Sequence, residues 1–329
     1  MIGKLSLLVL GVFLVLGATA CKGKVAYLGT DGNVYLANAN LTGQTQLTFD
    51  AGRVIYMDPS WSWDGRYLAW VTWVRVADAG GTQPTIPDTT LSVYDTLTSK
   101  TKEFDFPDQK SGIFTFAWRR DRNSIYVSYS TQEVSHNCSQ ETFKGFRIVE
   151  LDVETGSATK TAEFEEYGTL PRYIIASPNP NLLAVIVEEY CRTLRKLCVL
   201  DLSRGEKRCT GYGTIGLPEW SPDGSRLVSN FCSSPCIDST INFIDPQTLN
   251  KSAFLPETEH IIYGPPHWSP SGNLIIYYKH YARGIIEEES LGIWATTVDG
   301  TTTWKIDDGH LSSNPQVFSP DGLYITYTK

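Results

Sequence analysis

No stretch of this 329-residue chain carries a helical period of useful length, so a helical bundle and an alternating α/β architecture are both excluded. A glycine-rich phosphate loop is missing. So is the Gly-x-Ser-x-Gly elbow that would present a nucleophilic serine between a strand and a helix. Five histidines are present, at positions 136, 260, 267, 280 and 310, and none forms a close His-x-His or His-x₃-His pair. Positive charge is in deficit, with a formal net charge of −8 and a pI of about 5.2. An acidic surface repels phosphate backbones, which argues against nucleic acid as a partner. Aromatic residues make up 12% of the chain, a composition suited to pleated, half-buried surfaces.

The chain has one long apolar run, Leu5 to Leu16, and it is too short to span a bilayer comfortably. Lys4 precedes it. The small residues Gly17-Ala18-Thr19-Ala20 follow, and then Cys21. This is the order of a signal peptide, so residues 1–20 are expected to leave and residues 21–329 to form one domain. Ala18-Thr19-Ala20-Cys21 resembles a bacterial lipobox, with Ala18 where leucine is usual. That resemblance implies lipidation of Cys21 and a membrane-anchored protein in the periplasm or on the cell surface.

Setting Cys21 aside leaves six cysteines: Cys138, Cys191, Cys198, Cys209, Cys232 and Cys236. An even number in an exported chain reads as disulfides. Cys191 and Cys198 flank an expected hairpin turn, and Cys232 and Cys236 are able to close a local loop, which leaves Cys138 for Cys209. Fifteen connectivities remain open. Cys232-Ser-Ser-Pro-Cys236 also has workable zinc spacing, but no second close pair accompanies it.

A short phrase recurs. Pro59-Ser60-Trp61-Ser62-Trp63-Asp64-Gly65, Pro218-Glu219-Trp220-Ser221-Pro222-Asp223-Gly224, Pro266-His267-Trp268-Ser269-Pro270-Ser271-Gly272 and Phe318-Ser319-Pro320-Asp321-Gly322 are its clear copies. Ala117-Trp118-Arg119-Arg120-Asp121-Arg122 and Ala176-Ser177-Pro178-Asn179-Pro180-Asn181 are degenerate ones. Anchored on the serine, or on Arg119, the copies are 57, 58, 44, 48 and 50 residues apart. A propeller blade of four short strands needs on the order of 40–50 residues. Within the phrase, proline presets φ, Asp or Ser bonds its own backbone, and glycine accepts positive φ. The phrase therefore predicts a tight turn between a blade's first and second strands, with the tryptophan packed between blades.

Second strands are expected at Tyr67–Trp73, Ser124–Ser130, Leu182–Tyr190, Arg226–Phe231, Leu274–His280 and Leu323–Thr328. Third strands are expected at Leu91–Asp95, Phe146–Asp152, Leu197–Asp201, Ile241–Asp245 and Leu291–Thr297. The last repeat stops after its second strand, and the missing third and fourth appear as Asn33–Asn38 and Gln44–Phe49. The expectation is an all-β, six-bladed propeller closed by N- and C-terminal strands that share one blade. Lys24–Leu28 does not fit, because it duplicates Leu323–Thr328.

These phrases, with Lys24-Val-Ala-Tyr27, Gly32-Asn-Val-Tyr35 and Gln46-Leu-Thr48, resemble the propeller repeat of TolB and related WD40-like exported proteins. The resemblance covers essentially the whole chain after the leader. It implies fold rather than activity, and TolB's preceding α/β domain and Tol–Pal partners do not carry over.

Propeller geometry places first-to-second and third-to-fourth turns on one face and the remaining loops on the other. The second face receives the insertions Val74–Thr90, Thr131–Gly145 and Tyr281–Ser290, most of the cysteines, and all five histidines, at or near it. Long loops on a rigid scaffold are where recognition usually resides. The reading is a non-enzymatic envelope scaffold that binds a protein, peptide or glycan, needs no cofactor, and reaches the membrane through its lipid. The alternative is a metal-dependent carbohydrate-active enzyme at the channel mouth. Metal-dependent propellers exist, among them oligogalacturonate lyases with His ligands, and the ligand candidates here are His260, His267, His280 and His310.

Overall fold

The computed structural model describes residues 19–21, 24–38, 42–74, 89–106, 108–109, 111–131, 144–189, 194–211, 213, 215–232, 238–282, 288–311 and 327–328. Residues 1–18, His136, Cys138, Cys191, Cys236 and the Phe318–Gly322 turn lie outside that set, as do the inner parts of the three expected insertions.

The fold is a six-bladed β-propeller. Blade 2 shows the common plan, an antiparallel meander of Val54–Trp61, Tyr67–Val74, Thr89–Asp95 and Lys100–Phe104. Blade 3 runs Ser111–Trp118, Ser124–Ser130, Lys144–Asp152 and Ala158–Tyr167. Blade 4 runs Thr169–Ala176, Leu182–Glu189, Leu194–Asp201 and Glu206–Cys209. Blade 5 runs Glu219–Trp220, Leu227–Cys232, Ser239–Ile244 and Lys251–Leu255. In blade 6 the first strand is split into Ile261–Tyr263 and His267–Trp268, both pairing with Leu274–Ala282. Glu288–Thr297 and Thr303–Asp307 complete it.

Blade 1 has a different make-up from the one expected. Lys24–Leu28 pairs along its whole length with Val34–Asn38, and so takes the second-strand place foreseen for Leu323–Thr328. Thr19–Cys21 pairs on its other edge, and Thr45–Gln46 closes the outside. At the C-terminal end, Tyr327–Thr328 pairs with His310–Leu311 in a small separate sheet beside blade 6.

The repeated phrase builds the turn that its chemistry predicts. The Ser62 hydroxyl donates to Asp64 (2.6 Å) and accepts the Tyr67 N–H, while the Gly65 N–H returns to the Ser62 carbonyl. Ser221, Asp223, Gly224 and Arg226 repeat this set. Gly65, Gly224 and Gly272 all sit near φ +70°, a region costly for a residue with a Cβ. In the degenerate copy Arg119 stands for the serine. Its guanidinium forks onto Asp121 (2.8 Å twice) and reaches Glu150 (2.9 Å), which also accepts the Ser124 hydroxyl.

The tryptophans are the wedges between blades. Trp220 is fully buried among Ala184, Ile186, Leu197 and Val199 of blade 4 and Leu227 and Ile244 of its own blade. Its indole N–H donates to the Ile175 carbonyl (3.0 Å), and Trp118 donates in the same way to Ser60 (2.9 Å). Blade 4 has Ala176 in place of tryptophan. There the stacked rings of Phe146 and Phe164, 4.4 Å apart, fill the gap against blade 3.

A second repeated device closes the third-to-fourth turns. Asp95, Asp152, Asp201, Asp245 and Asp299 each accept backbone N–H groups from residues two or three further on. Their carboxyl groups are held below the usual range, chiefly by Arg66 for Asp95, by the Thr155 and Thr248 N–H groups for Asp152 and Asp245, and by the Ser203 and Thr297 hydroxyls for Asp201 and Asp299. A carboxylate whose pKa falls on folding stabilises the native state above its unfolded pKa, near 4, and loses that contribution as pH falls through the folded value. The melting temperature is therefore expected to stay level from pH 7 to about 5 and to drop below about 4. An acid scan followed by circular dichroism checks this.

Four residues after the aspartate, two of these turns place Gly156 and Gly205 at positive φ, whereas Ser99 and Leu249 adopt 55° and 58°. Ser99 is exposed, so Ser99→Gly removes left-handed strain and loses little packing. An increase of roughly 0.5–1 kcal/mol in unfolding free energy is expected from denaturant titration.

The expected cysteine pairing is corrected. Cys198 is bonded to Cys209, not to Cys191, because the two sit directly opposite one another on neighbouring strands of blade 4. That also removes the Cys138–Cys209 pair. Cys232 is disulfide-bonded as well. Cys198→Ser together with Cys209→Ser is expected to cost roughly 2–3 kcal/mol, mainly through the freed unfolded chain. Chemical denaturation under non-reducing conditions measures it.

Candidate functional site

The blades position two mouths of the central channel, and the loop-bearing one carries most of the candidate residues. Its described part consists of the stems from which the second-to-third-strand loops spring. The stems of blades 2 to 5 are each tied to the start of the next blade or to a charged partner. In blade 2, the buried Thr89 hydroxyl accepts the Ile113 N–H of blade 3, and Gln109 donates to both its hydroxyl and its carbonyl. In blade 5, the buried Ser239 hydroxyl accepts the Tyr263 N–H of blade 6 (2.6 Å), and Asp238 accepts the His260 N–H (2.6 Å). Hydroxyl residues at the first positions of third strands thus hold neighbouring blades together under the loops.

Charged groups complete the rim. In blade 3, Arg147 pairs with Asp108 and with Glu163 (3.2 Å), while Tyr129 donates to Asp108 (2.8 Å) and stacks on Phe106. Lys160, then Arg147, hold the Glu163 carboxyl below its ordinary range. In blade 4, Arg195 and Glu188 face each other across the stem (2.7 Å), and Lys196 pairs with Glu166. These ion pairs stiffen the loop bases. Their acidic partners all remain partly exposed, from 19% at Glu188 to 46% at Asp108, so the stabilisation from each is modest.

The candidate histidines are spread out. His267 is buried on the inner strand of blade 6, with Nδ1 3.0 Å from Glu219 on the inner strand of blade 5. Its Nε2 is buried without a hydrogen-bond partner among the described residues. His260 sits at φ 60° just before blade 6, 3.6 Å from Glu259 and edge-on to Tyr281. His280 lies on the second strand of blade 6, edge-on to Tyr278. His310 lies on the short strand beside blade 6, with its side chain outside the described set. Among the described residues, no three His, Cys, Asp or Glu side chains converge in a metal-binding group. No described helix is long and apolar enough to cross a membrane.

Sequence reasoning passed over Glu219. It occupies the repeat position that holds Ser60, Ala117 and Ile175 in other blades, and His267 fills the same position in blade 6. Trp63 and Arg120 likewise replace the proline found in the other copies. Charged or bulky residues at a repeat position that structure fills with small or apolar ones were the available signal.

These observations define the class of protein as a six-bladed β-propeller. No protein-family model matches the chain, and no curated protein sequence matches it. Solved structures do share the fold. An oligogalacturonate lyase in complex with manganese is 17% identical, with a TM-score of 0.57 over 91% of this chain and 81% of the lyase chain. A chain of a mitotic checkpoint complex is 13% identical, with a TM-score of 0.58 over 94% of this chain and 82% of its own. TolB from Acinetobacter baumannii is 15% identical and aligns over 85% of this chain and 62% of its own, with a TM-score of 0.48. At these identities the likeness is one of fold.

Proposed function

We propose that the protein is an exported, lipid-anchored binding scaffold of the cell envelope that contacts a protein, peptide or glycan through its loop-bearing face. The observation that carries this reading is the pinning of the loop stems. Thr89 and Ser239 lock the loop stems of blades 2 and 5 to their neighbours, and Arg147 and Arg195 clamp the stems of blades 3 and 4. A fixed base lowers the ordering cost that a loop meets when it binds. The Cys198–Cys209 bond supports an oxidising compartment. Lipidation of Cys21 would leave this residue at the new N-terminus and remove Thr19 and Ala20 from the blade 1 strand. One acyl-modified terminus suits peripheral attachment.

The test joins two measurements on protein expressed with its leader. Mass spectrometry should find acyl groups on Cys21. Affinity capture from envelope extracts should recover a partner that is lost when residues 75–88 and 132–143 are replaced by short Gly-Ser linkers. Unmodified Cys21 together with capture that ignores both loops would contradict the proposal.

A second reading, a metal-dependent carbohydrate-active enzyme, draws on the Glu219–His267 contact. A carboxylate on one ring nitrogen is the arrangement that orients metal-bound histidines elsewhere. Metal analysis separates the two readings: stoichiometric Mn, Zn or Ca favours the enzyme, and metal-free protein that still captures its partner favours the scaffold.

A further inference from the structure

Two neighbouring arginines in blade 3 are treated very differently. Arg119 directs its fork at Asp121 and Glu150. Arg120, the next residue, has no ion pair or hydrogen bond among the described residues, and its Nε is buried without a partner. Its guanidinium carbon lies over the Trp63 ring of blade 2, 4.1 Å from the ring centre. Burial pushes the guanidinium down to about 10, opposed only in part by the field of Glu219. Glu219 belongs to blade 5, the next blade but one, so that field reaches Arg120 past blade 4. Glu219 is itself engaged with His267 at 3.0 Å.

A desolvated cation without a counter-charge is costly, and folds retain such groups where a ligand supplies the missing charge. Arg120 and Trp63 occupy the proline position of the tight first turn, so they border the channel on the face opposite the loops. Trp63 remains 43% exposed there. A planar guanidinium matches a carboxylate through two parallel hydrogen bonds, and the free part of an indole ring accepts a flat apolar body.

We propose that Arg120 and Trp63 form a binding subsite for an organic carboxylate at the tight-turn mouth of the central channel. The carboxylate takes the unpaired guanidinium, and the body of the acid lies against the exposed ring of Trp63. The subsite is independent of the loop-face reading and stands whether or not that reading holds.

Calorimetric titration of the whole chain with benzoate, acetate and inorganic phosphate at constant ionic strength tests this. Saturable benzoate binding is expected, at least threefold tighter than acetate. Arg120→Met should weaken benzoate at least tenfold, while Arg122→Met, two residues along and 58% exposed, should leave it unchanged. Trp63→Ala should remove the advantage of benzoate over acetate. Thermal unfolding without ligand in anion-poor buffer gives a second readout: Arg120→Met should melt at the wild-type temperature or above it, because an uncompensated buried charge has gone. The proposal is overturned by absence of saturable benzoate binding, by equal binding in wild type and Arg120→Met, or by phosphate binding as tightly as benzoate. A fall of more than 5 °C in the ligand-free Arg120→Met protein would also overturn it, since that marks a structural arginine.

Discussion

Replacing Trp220 with alanine is expected to lower the unfolding free energy by about 4–5 kcal/mol, the upper end for a large buried aromatic. The ring is fully buried between blades 4 and 5, so the void opens at a junction of the ring. The Ile175 carbonyl also loses its indole donor. Blade 4 can collapse little to fill the space, because its second strand is paired on both sides. Trp304, on the outermost strand of blade 6 and 40% exposed, is the control. Trp304→Ala should cost below about 1 kcal/mol, since neither a void nor an orphaned polar group results. Denaturant titration of both variants measures the difference, and equal costs would show that the tryptophans are not the wedges between blades.

Arg119→Met is expected to cost roughly 2–3 kcal/mol, below the usual figure for a broken buried pair, because water can reach part of both acidic partners. Arg119 is 6% exposed, while Asp121 and Glu150 retain 35% and 22%. Arg119 holds the Asp121 carboxyl below its normal range. In wild type that contribution is present above pH 4 and fades as pH falls through the lowered value. In Arg119→Met the two carboxylates keep only the 3.7 Å approaches of the exposed Arg122 and the Ser124 hydroxyl on Glu150, so acid should destabilise the variant less than the wild type. Stability measured at pH 7 and pH 4 should therefore converge between the two proteins.

The turns were legible in the sequence because each is local. Ser62, Asp64 and Gly65 make their bonds within six residues, and composition alone specifies them. The position of Arg119 was equally visible, but its role depends on Glu150, which lies on the next strand but one and 31 residues away. The disulfide was misread for the same reason. Cys191 is near Cys198 in sequence, yet the strand register of blade 4 sets Cys198 opposite Cys209. The place of Lys24–Leu28 depended on which of two similar segments meets Val34–Asn38, and pattern cannot rank equal claims on one edge. Arg120 and Glu219 were passed over because their approach depends on how blades 3, 4 and 5 pack in succession, which no local pattern states.

The central claim is that recognition belongs to the loop-bearing face, and photo-cross-linking in intact cells tests it most directly. A photoreactive amino acid at Val74, 45% exposed where the blade 2 loop departs, is compared with one at Leu97, 76% exposed in the third-to-fourth turn of the same blade. The account requires a discrete macromolecular adduct from position 74 and none from position 97. An adduct from position 97 with none from position 74 would contradict it.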